Sequence, residues 1–103
     1  MDRIARLNAL LEQQPEDAFL RHALGLEYLK AGEQGKAEEW FRAALEKDPQ
    51  HIGTYYHLVE LLMKSGRPEE AVRFCELGLP ACKAAGDDHA WRELNMLYEE
   101  LIY

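Results

Sequence analysis

The sequence matches itself when it is shifted by 34 residues. The matched pairs include Pro15 and Pro49, Leu24 and Leu58, Lys30 and Lys64, Gly32 and Gly66, Ala37 and Ala71, and Leu45 and Leu79. A fixed period of this length is typical of repeat proteins, in which each unit packs on its neighbour. Such stacks present a long surface to a partner and seldom enclose a catalytic pocket. The repeat therefore predicts an interaction surface without specifying the partner.

Hydrophobic spacing and helix-ending residues predict six helices and no strand. The predicted helices run from about Asp2 to Gln13, from the Glu16–Asp17 pair to about Ala31, from near Gln34 to before Pro49, from about His51 to Lys64, from Pro68 to about Ala85, and from a cap at Asp87 or Asp88 to the C-terminus. On the first helix, helical spacing predicts an apolar face formed by Ile4, Leu7, Leu10 and Leu11.

Residue size alternates at matched positions in a way that suits helix packing. Gly25 and Ala44 are small where two antiparallel helices approach closely, and Tyr28 and Phe41 are large where space has to be filled. The chain here resembles the tetratricopeptide repeat family, whose signature is W-x2-L-G-x2-Y, A-x3-F and P. The first copy gives Arg21, Leu24, Gly25, Tyr28, Ala37, Phe41, Ala44 and Pro49. Only Arg21 departs from the signature, since it replaces the large aromatic residue.

The second copy is more degenerate, and a third begins near the C-terminus. The second copy reads Tyr55, Leu58, Val59, Leu62, Ala71, Cys75 and Gly78, with Lys83 at the place of the closing proline. The last helix restarts the pattern with Trp91, Leu94 and Tyr98, and has Asn95 where the small residue is expected. The first helix matches the second helix of a repeat, because Leu7 and Leu11 precede Phe41 and Leu45 by one period.

The resemblance implies an all-α, right-handed superhelical stack of antiparallel helix hairpins. With A and B naming the two helices of a repeat, the order is B-AB-AB-A. The whole chain, 103 residues long, is then one domain. It comprises an N-terminal capping helix over residues 1–14, a first repeat over 16–49, a second repeat with an extended second helix over 50–86, and a C-terminal capping helix over 87–103.

Composition and charge argue against several classes of protein. A net charge of −7 disfavours nucleic acid, whose phosphates require a basic surface. No apolar run approaches the roughly 18 residues that predict a membrane span, so no membrane partner is expected. The first residues lack the apolar core of a signal peptide, which makes the cytoplasm the expected location.

Cys75 and Cys82 are too far apart along one helix for a disulfide and are predicted to be small buried hydrophobic residues.

No residue pattern typical of catalysis is present, and no cofactor is expected. The single serine, Ser65, lies in a predicted turn without a base to activate it. None of the four histidines has metal-ligand spacing. His22, His57 and His89 come from successive first helices of the stack, which leaves a metal or proton-sensing cluster as an alternative to ordinary hydrogen-bonding histidines.

The resemblance also implies where a partner would bind, because one side of each first helix lines a concave groove in the family. Carried over position by position, the groove residues of this chain are Phe19, His22, Leu26, Leu29 and Lys30, then Tyr56, Glu60, Met63 and Lys64, and then His89, Arg92, Met96 and Glu99. The alternative is that these residues pack against neighbouring helices. Some family members hold a terminal carboxylate with lysines and asparagines, but His22, Leu26 and His57 occupy three of those places, which disfavours that subtype.

Two functions remain after these exclusions. The first is a non-enzymatic interaction module that binds a peptide or protein segment in the concave groove. The second is a self-associating structural protein whose apolar surfaces form a homo-oligomer. Both require exposed apolar side chains, so the sequence alone does not separate them.

Overall fold

The computed structural model describes residues 2–103, which form six helices and no strand. The helices are α1 (Arg3–Gln13), α2 (Ala18–Lys30), α3 (Gln34–Lys47), α4 (Gly53–Lys64), α5 (Pro68–Ala85) and α6 (Asp88–Ile102). Met1, which belongs to the predicted N-terminal capping segment, lies outside the described residues. The all-α fold class and the number of helices are confirmed. No helix within residues 2–103 combines the length and the apolar character that crossing a membrane requires.

Three helices begin at an aspartate that caps them. The carboxylates of Asp2, Asp17 and Asp87 accept hydrogen bonds from backbone N–H groups in the first turns of α1, α2 and α6. Each bond satisfies a donor that has no partner within the helix, and the negative charge suits the positive end of the helix dipole. The sequence left Asp87 and Asp88 as alternatives, and the structure identifies Asp87 as the cap.

The first helix of each repeat ends in the same way. Gly32 and Gly66, one period apart, have φ angles of 81° and 73°, which only glycine adopts without strain. The residue after each glycine donates its N–H back to the helix: Glu33 to the carbonyl of Tyr28 at 2.9 Å, and Arg67 to the equivalent carbonyl of Leu62 at 3.0 Å. This is the Schellman motif, and it turns the chain sharply into the next helix.

The predicted start of α4 at His51 is wrong by two residues, because a turn holds residues 48–51. The Asp48 carbonyl accepts the N–H of His51 at 3.0 Å, and the Asp48 carboxylate accepts the N–H of Gln50 at 3.0 Å. Pro49 favours this turn because its fixed φ angle suits the second position. Ile52 is the N-cap residue, and α4 begins at Gly53.

The chain divides into two compact units, residues 1–51 and 52–103. In unit 1, α2 packs against both α1 and α3. A cluster of apolar side chains joins α1 to this hairpin, and its buried members are Leu7, Leu20, Ala23 and Leu24. Ile4, Leu11, Tyr28 and Trp40 pack around it. Helix α2 is thus buried on two sides, against α1 and against α3.

The hairpin of α2 and α3 is closest where an aromatic ring faces a glycine. A β-carbon built on Gly25 would lie 2.5 Å from Cδ1 of Phe41, a distance at which one of the groups has to move. Phe41 is fully buried. The absence of a side chain at Gly25 therefore makes room for the Phe41 ring, as the size pattern in the sequence predicted.

The predicted apolar face of α1 is only partly buried. Leu7 is 6% exposed, whereas Leu10 is 48% exposed. Leu10 precedes Ala44 by one period, and Ala44 is fully buried in the hairpin of α2 and α3. The predicted apolar face of α1 is therefore packed at Leu7 and exposed to solvent at Leu10.

In unit 2, α4, α5 and α6 all pack against one another. A β-carbon built on Gly78 of α5 would lie 2.7 Å from both the Tyr55 ring and the Leu94 side chain. Leu97 of α6 is also buried, although the repeat signature did not identify it. The Tyr98 hydroxyl donates a hydrogen bond of 3.3 Å to Glu76 of α5. Helix α6 therefore covers the second hairpin.

Both cysteines are free and buried in α5, as predicted. Burial raises the pKa of the Cys75 thiol to about 12, and the nearby Glu76 carboxylate adds to this effect. Burial also raises the pKa of Cys82, with a contribution from Asp87. Since the thiolate is the reactive form, burial lowers the reactivity of both side chains in the folded protein.

We expect Gly25→Ala to destabilise the protein by about 1–3 kcal/mol, because the new methyl group overlaps the Phe41 ring. The free energy of unfolding in urea measures the effect. Gly35→Ala is the matched control: nothing lies within 4 Å of a β-carbon at Gly35 in α3. This control should be neutral or gain up to about 1 kcal/mol from helix propensity. Equal stabilities of the two variants would mean that Phe41 does not sit against Gly25.

We expect the cysteines to react with a thiol reagent only after unfolding, because burial keeps them protonated. The raised pKa values also make the stability of the fold depend on pH. The unfolded thiols ionise near their ordinary pKa of about 9, whereas the folded thiols ionise only at a higher pH. Their contribution to stability is thus present below about pH 9 and is lost as the pH rises above it. Urea unfolding across this range tests the expectation, and Cys75→Ala should flatten the dependence. Rapid labelling of the folded protein would contradict it.

Candidate partner-binding surface

Two helices of unit 2 present their outward side chains next to each other. On α4, Tyr56, Glu60 and Met63 are spaced as neighbours on one helical face, and each is partly exposed. On α6, helical spacing places Glu93, Met96 and Glu100 on one face, and all three are exposed. Helices α4 and α6 are in contact. We call these six residues the α4–α6 surface.

The Tyr56 hydroxyl lies among carboxylates from both helices. Its pKa is raised chiefly by the charge of Glu60, then by partial burial and by Glu93. A hydrogen bond to Glu60 and the charge of Glu100 act in the same direction. The Tyr56 hydroxyl is therefore close to negatively charged side chains of both α4 and α6.

Two histidines border this surface. Burial lowers the pKa of His57, although Glu60 and Glu93 oppose the effect. His89, which is exposed at the start of α6, has its Nε2 atom 3.4 Å from Oε2 of Glu93. Burial therefore favours the neutral form of His57, whereas the exposed His89 side chain contacts Glu93 one turn further along α6.

The far end of α6 adds exposed apolar area to the surface. Met96 is 68% exposed and Tyr103 is 94% exposed. Together with Glu99 and Glu100 they line a shallow depression. A methionine side chain is flexible and polarizable, so it adapts to partners of different shape.

Sequence reasoning identified only part of this surface. It predicted Tyr56, Glu60, Met63 and Met96, which the structure places on the adjoining faces of α4 and α6. It also predicted Lys64, Arg92 and Glu99, which are exposed on the same helices. It missed Glu93 and Glu100. Their positions, three residues before and four residues after Met96, carried the signal, since helical neighbours recur at these intervals.

The predicted residues of unit 1 occupy different environments on α2. Phe19 is 61% exposed, and its ring centroid lies 6.3 Å from that of His51. Leu26 and Leu29 are half-buried. Lys30 is exposed, and its Nζ atom is 3.4 Å from Glu27. Phe19 is thus the largest apolar side chain that α2 presents to solvent.

His22 is buried, with 9% of its area exposed. Its ring lies between Phe41 and His51, at centroid distances of 5.8 Å and 5.0 Å. His22 therefore packs inside unit 1 and offers little area to a partner. No group of three or more histidine, cysteine or acidic side chains within residues 2–103 is placed to hold a metal ion.

Comparisons with known proteins agree with this architecture. A family model for the tetratricopeptide repeat (TPR) matches residues 28–94. A TPR repeat-containing protein of Pseudomonas aeruginosa is 29% identical over 98 residues, which are 95% of this chain and 93% of that protein. The crystal structure of a tetratricopeptide repeat domain protein from Salinibacter ruber is 30% identical, with a TM-score of 0.79 over 82% of this chain and 96% of that one.

A more distant structural neighbour was determined with a bound partner. The TPR2B domain of yeast Sti1, in a complex with pHsp70, has a TM-score of 0.86. The match covers 95% of this chain and 78% of that one, with 17% identity. At this identity the similarity concerns the fold alone.

We expect Glu60→Gln to lower the pKa of Tyr56 towards its ordinary value, because Glu60 is the main cause of its shift. NMR of tyrosines labelled at the ζ-carbon follows each hydroxyl separately as the pH is raised. Glu76→Gln is the matched control, since Glu76 accepts the hydrogen bond of Tyr98 and contributes to its raised pKa. This control should move Tyr98 and leave Tyr56 unchanged. A Tyr56 titration unaffected by Glu60→Gln would contradict the described geometry.

Proposed function

This chain belongs to the tetratricopeptide repeat family, and we propose that it is a non-enzymatic module that binds a peptide or protein segment. TPR domains generally mediate protein–protein interaction. The observation that carries the proposal is the α4–α6 surface, where Tyr56, Met63 and Met96 present apolar area that the core of unit 2 does not use.

Exposed apolar area at this surface supplies a driving force for binding. Met96 is 68% exposed, and full burial of such a side chain contributes about 1.5–3 kcal/mol. Tyr56 adds a rigid aromatic ring, a residue type that often dominates the affinity of an interface. A partner that covers both side chains therefore removes apolar area from water.

The predicted groove residues of α2 belong to unit 1, and we treat them as a separate candidate surface on that unit. Phe19, Leu26, Leu29 and Lys30 are at least partly exposed on this helix. His22 is left out because it is buried against Phe41 and His51. Among the residues of α2, Phe19 is the one on which we expect binding to depend most, because its ring is exposed.

The kind of partner is proposed from the family and from the residues that stand in place of a carboxylate-binding motif. The similarity to a TPR domain that is in a complex with pHsp70 supports a protein partner. His22, Leu26 and His57 stand where a carboxylate-binding subtype has lysines and asparagines. We therefore propose an internal protein segment, rather than a free C-terminal carboxylate, as the ligand.

A second candidate function, self-association, is favoured by a different observation. Leu10 is 48% exposed on α1, beside a hollow that it lines together with Arg6, Ala9 and Gln13. A second copy of the chain would cover this area. Sedimentation of the pure protein separates the two functions, because self-association gives a mass that rises with concentration and Leu10→Ser should lower it.

We expect Tyr56→Ala and Met96→Ala each to weaken binding of a partner isolated from the native cell, and the double variant to lose at least about 2 kcal/mol. The dissociation constant, measured by titration calorimetry with the purified partner, gives the effect. Neither side chain belongs to the core, so helicity and melting temperature should stay close to those of the parent.

The matched control is Leu77→Ala, which removes a large apolar side chain that is 58% exposed on α5. This variant should bind as the parent does. If Leu77→Ala weakens binding and the α4–α6 variants do not, the partner binds to the α5 side of unit 2 and the proposed surface is wrong.

A further inference from the structure

The charges of α4 and α6 are unevenly distributed. Helix α6 carries four carboxylates, at Asp88, Glu93, Glu99 and Glu100, and a single guanidinium, at Arg92. The whole chain has a net charge of −7, so no distant excess of positive charge compensates for them. A partner that approaches α6 therefore meets a negative potential.

The carboxylates alternate with the apolar side chains of the α4–α6 surface. Along α6, Glu93 and Glu100 lie on either side of the exposed Met96. On α4, Glu60 lies between Tyr56 and Met63 at helical spacing. An apolar side chain bound to this surface thus has carboxylates on both sides. These carboxylates select for the charge of the partner residues that flank the apolar side chain.

The raised pKa of Tyr56 is a second indication of negative charge at this surface. Glu60, Glu93 and Glu100 all disfavour the phenolate form of this side chain and raise its pKa. A potential that opposes a negative charge at the Tyr56 hydroxyl favours a positive charge at the same place. The Tyr56 ring additionally offers a face on which a lysine or arginine side chain can bind by a cation–π interaction.

We propose that the α4–α6 surface binds a protein segment in which lysine or arginine side chains flank an apolar anchor. The proposal rests on the proposed function, since it specifies the partner of the same surface. The anchor covers Met96 and Tyr56, and the flanking cations pair with Glu93 and Glu100 on α6 and with Glu60 on α4.

The opposite charge is disfavoured by the same residues. An acidic segment, or the phosphates of a nucleic acid, would place negative charge next to Glu60, Glu93 and Glu100, which outnumber the cations of the two helices, Lys64 and Arg92. Like charges placed together across an interface suppress binding of the wrong partner. The carboxylates therefore provide selectivity, and the apolar side chains provide most of the affinity.

A selection from a displayed library of random peptides tests the proposal with the full chain as bait. We expect the enriched peptides to carry a net positive charge around an aromatic or aliphatic residue. We also expect one such peptide, made synthetically, to shift the NMR signals of Tyr56, Met96 and Glu100. Its affinity should fall as the salt concentration rises from about 0.05 M to about 0.3 M, because screening weakens exposed charge pairs.

A matched pair of variants separates local pairing from general attraction to an acidic protein. Glu93→Gln combined with Glu100→Gln should weaken the binding of this peptide about five- to tenfold. Glu12→Gln combined with Glu46→Gln removes the same charge from exposed positions of α1 and α3, and should change the affinity less than about twofold. Equal losses in the two double variants would overturn the proposal.

The outcomes distinguish failure of this inference from failure of the proposed function. Enrichment of acidic or uncharged peptides that still shift the signals of the α4–α6 surface would overturn the charge selectivity and leave the binding surface in place. A library that yields no binder, or binders that map to other residues, would overturn the binding surface and the inference with it.

Discussion

The packing of each hairpin depends on one aromatic ring that faces a glycine. Phe41 occupies the space that Gly25 leaves open, and Tyr55 occupies the space at Gly78. Protein interiors are close-packed, so a ring of this size fits between two helices only where one of them lacks a side chain. The separation of the helices, and with it the burial of the smaller residues on either side, follows from these two contacts.

The helix that carries the aromatic ring differs between the two hairpins. In the first repeat the ring belongs to the second helix and the glycine to the first, whereas in the second repeat the ring of Tyr55 is on the first helix and Gly78 is on the second. The position that matches Tyr55 is Arg21, whose guanidinium donates a 2.7 Å hydrogen bond to the Pro15 carbonyl. The position that matches Phe41 is the small residue Cys75. Each departure from the repeat signature thus compensates for another.

The core leaves the outward positions of the same helices available for other uses. Tyr55 is 3% exposed and packs at Gly78, while the adjacent Tyr56 is partly exposed and lies among carboxylates. Successive residues of a helix point in directions about 100° apart, so one tyrosine contributes to stability without constraining the other. The proposed binding surface is therefore built from residues that lie outside the buried core.

The sequence by itself determined the features that depend on local chemistry. Gly32 and Gly66 end two helices, aspartates cap the N-termini of three helices, and the period of 34 residues gives the register of the hairpins. These signals act over a few neighbouring residues or recur one repeat later. The pairing of a large residue with Gly25 was predicted in the same way. Four of the six residues of the α4–α6 surface were predicted in another way, because the resemblance to the repeat family implied them.

Only the tertiary structure decided which of the predicted faces are covered. Leu10 and Ala44 hold equivalent positions, yet Leu10 is 48% exposed and Ala44 is fully buried. His22 was predicted to face a groove, and it is buried because the turn at residues 48–51 brings His51 against it. Glu93 and Glu100 gained their relation to Tyr56 only when α6 packed on α4. Periodicity specifies the direction of a side chain on its own helix, whereas its burial and electrostatic environment depend on residues that are distant along the chain.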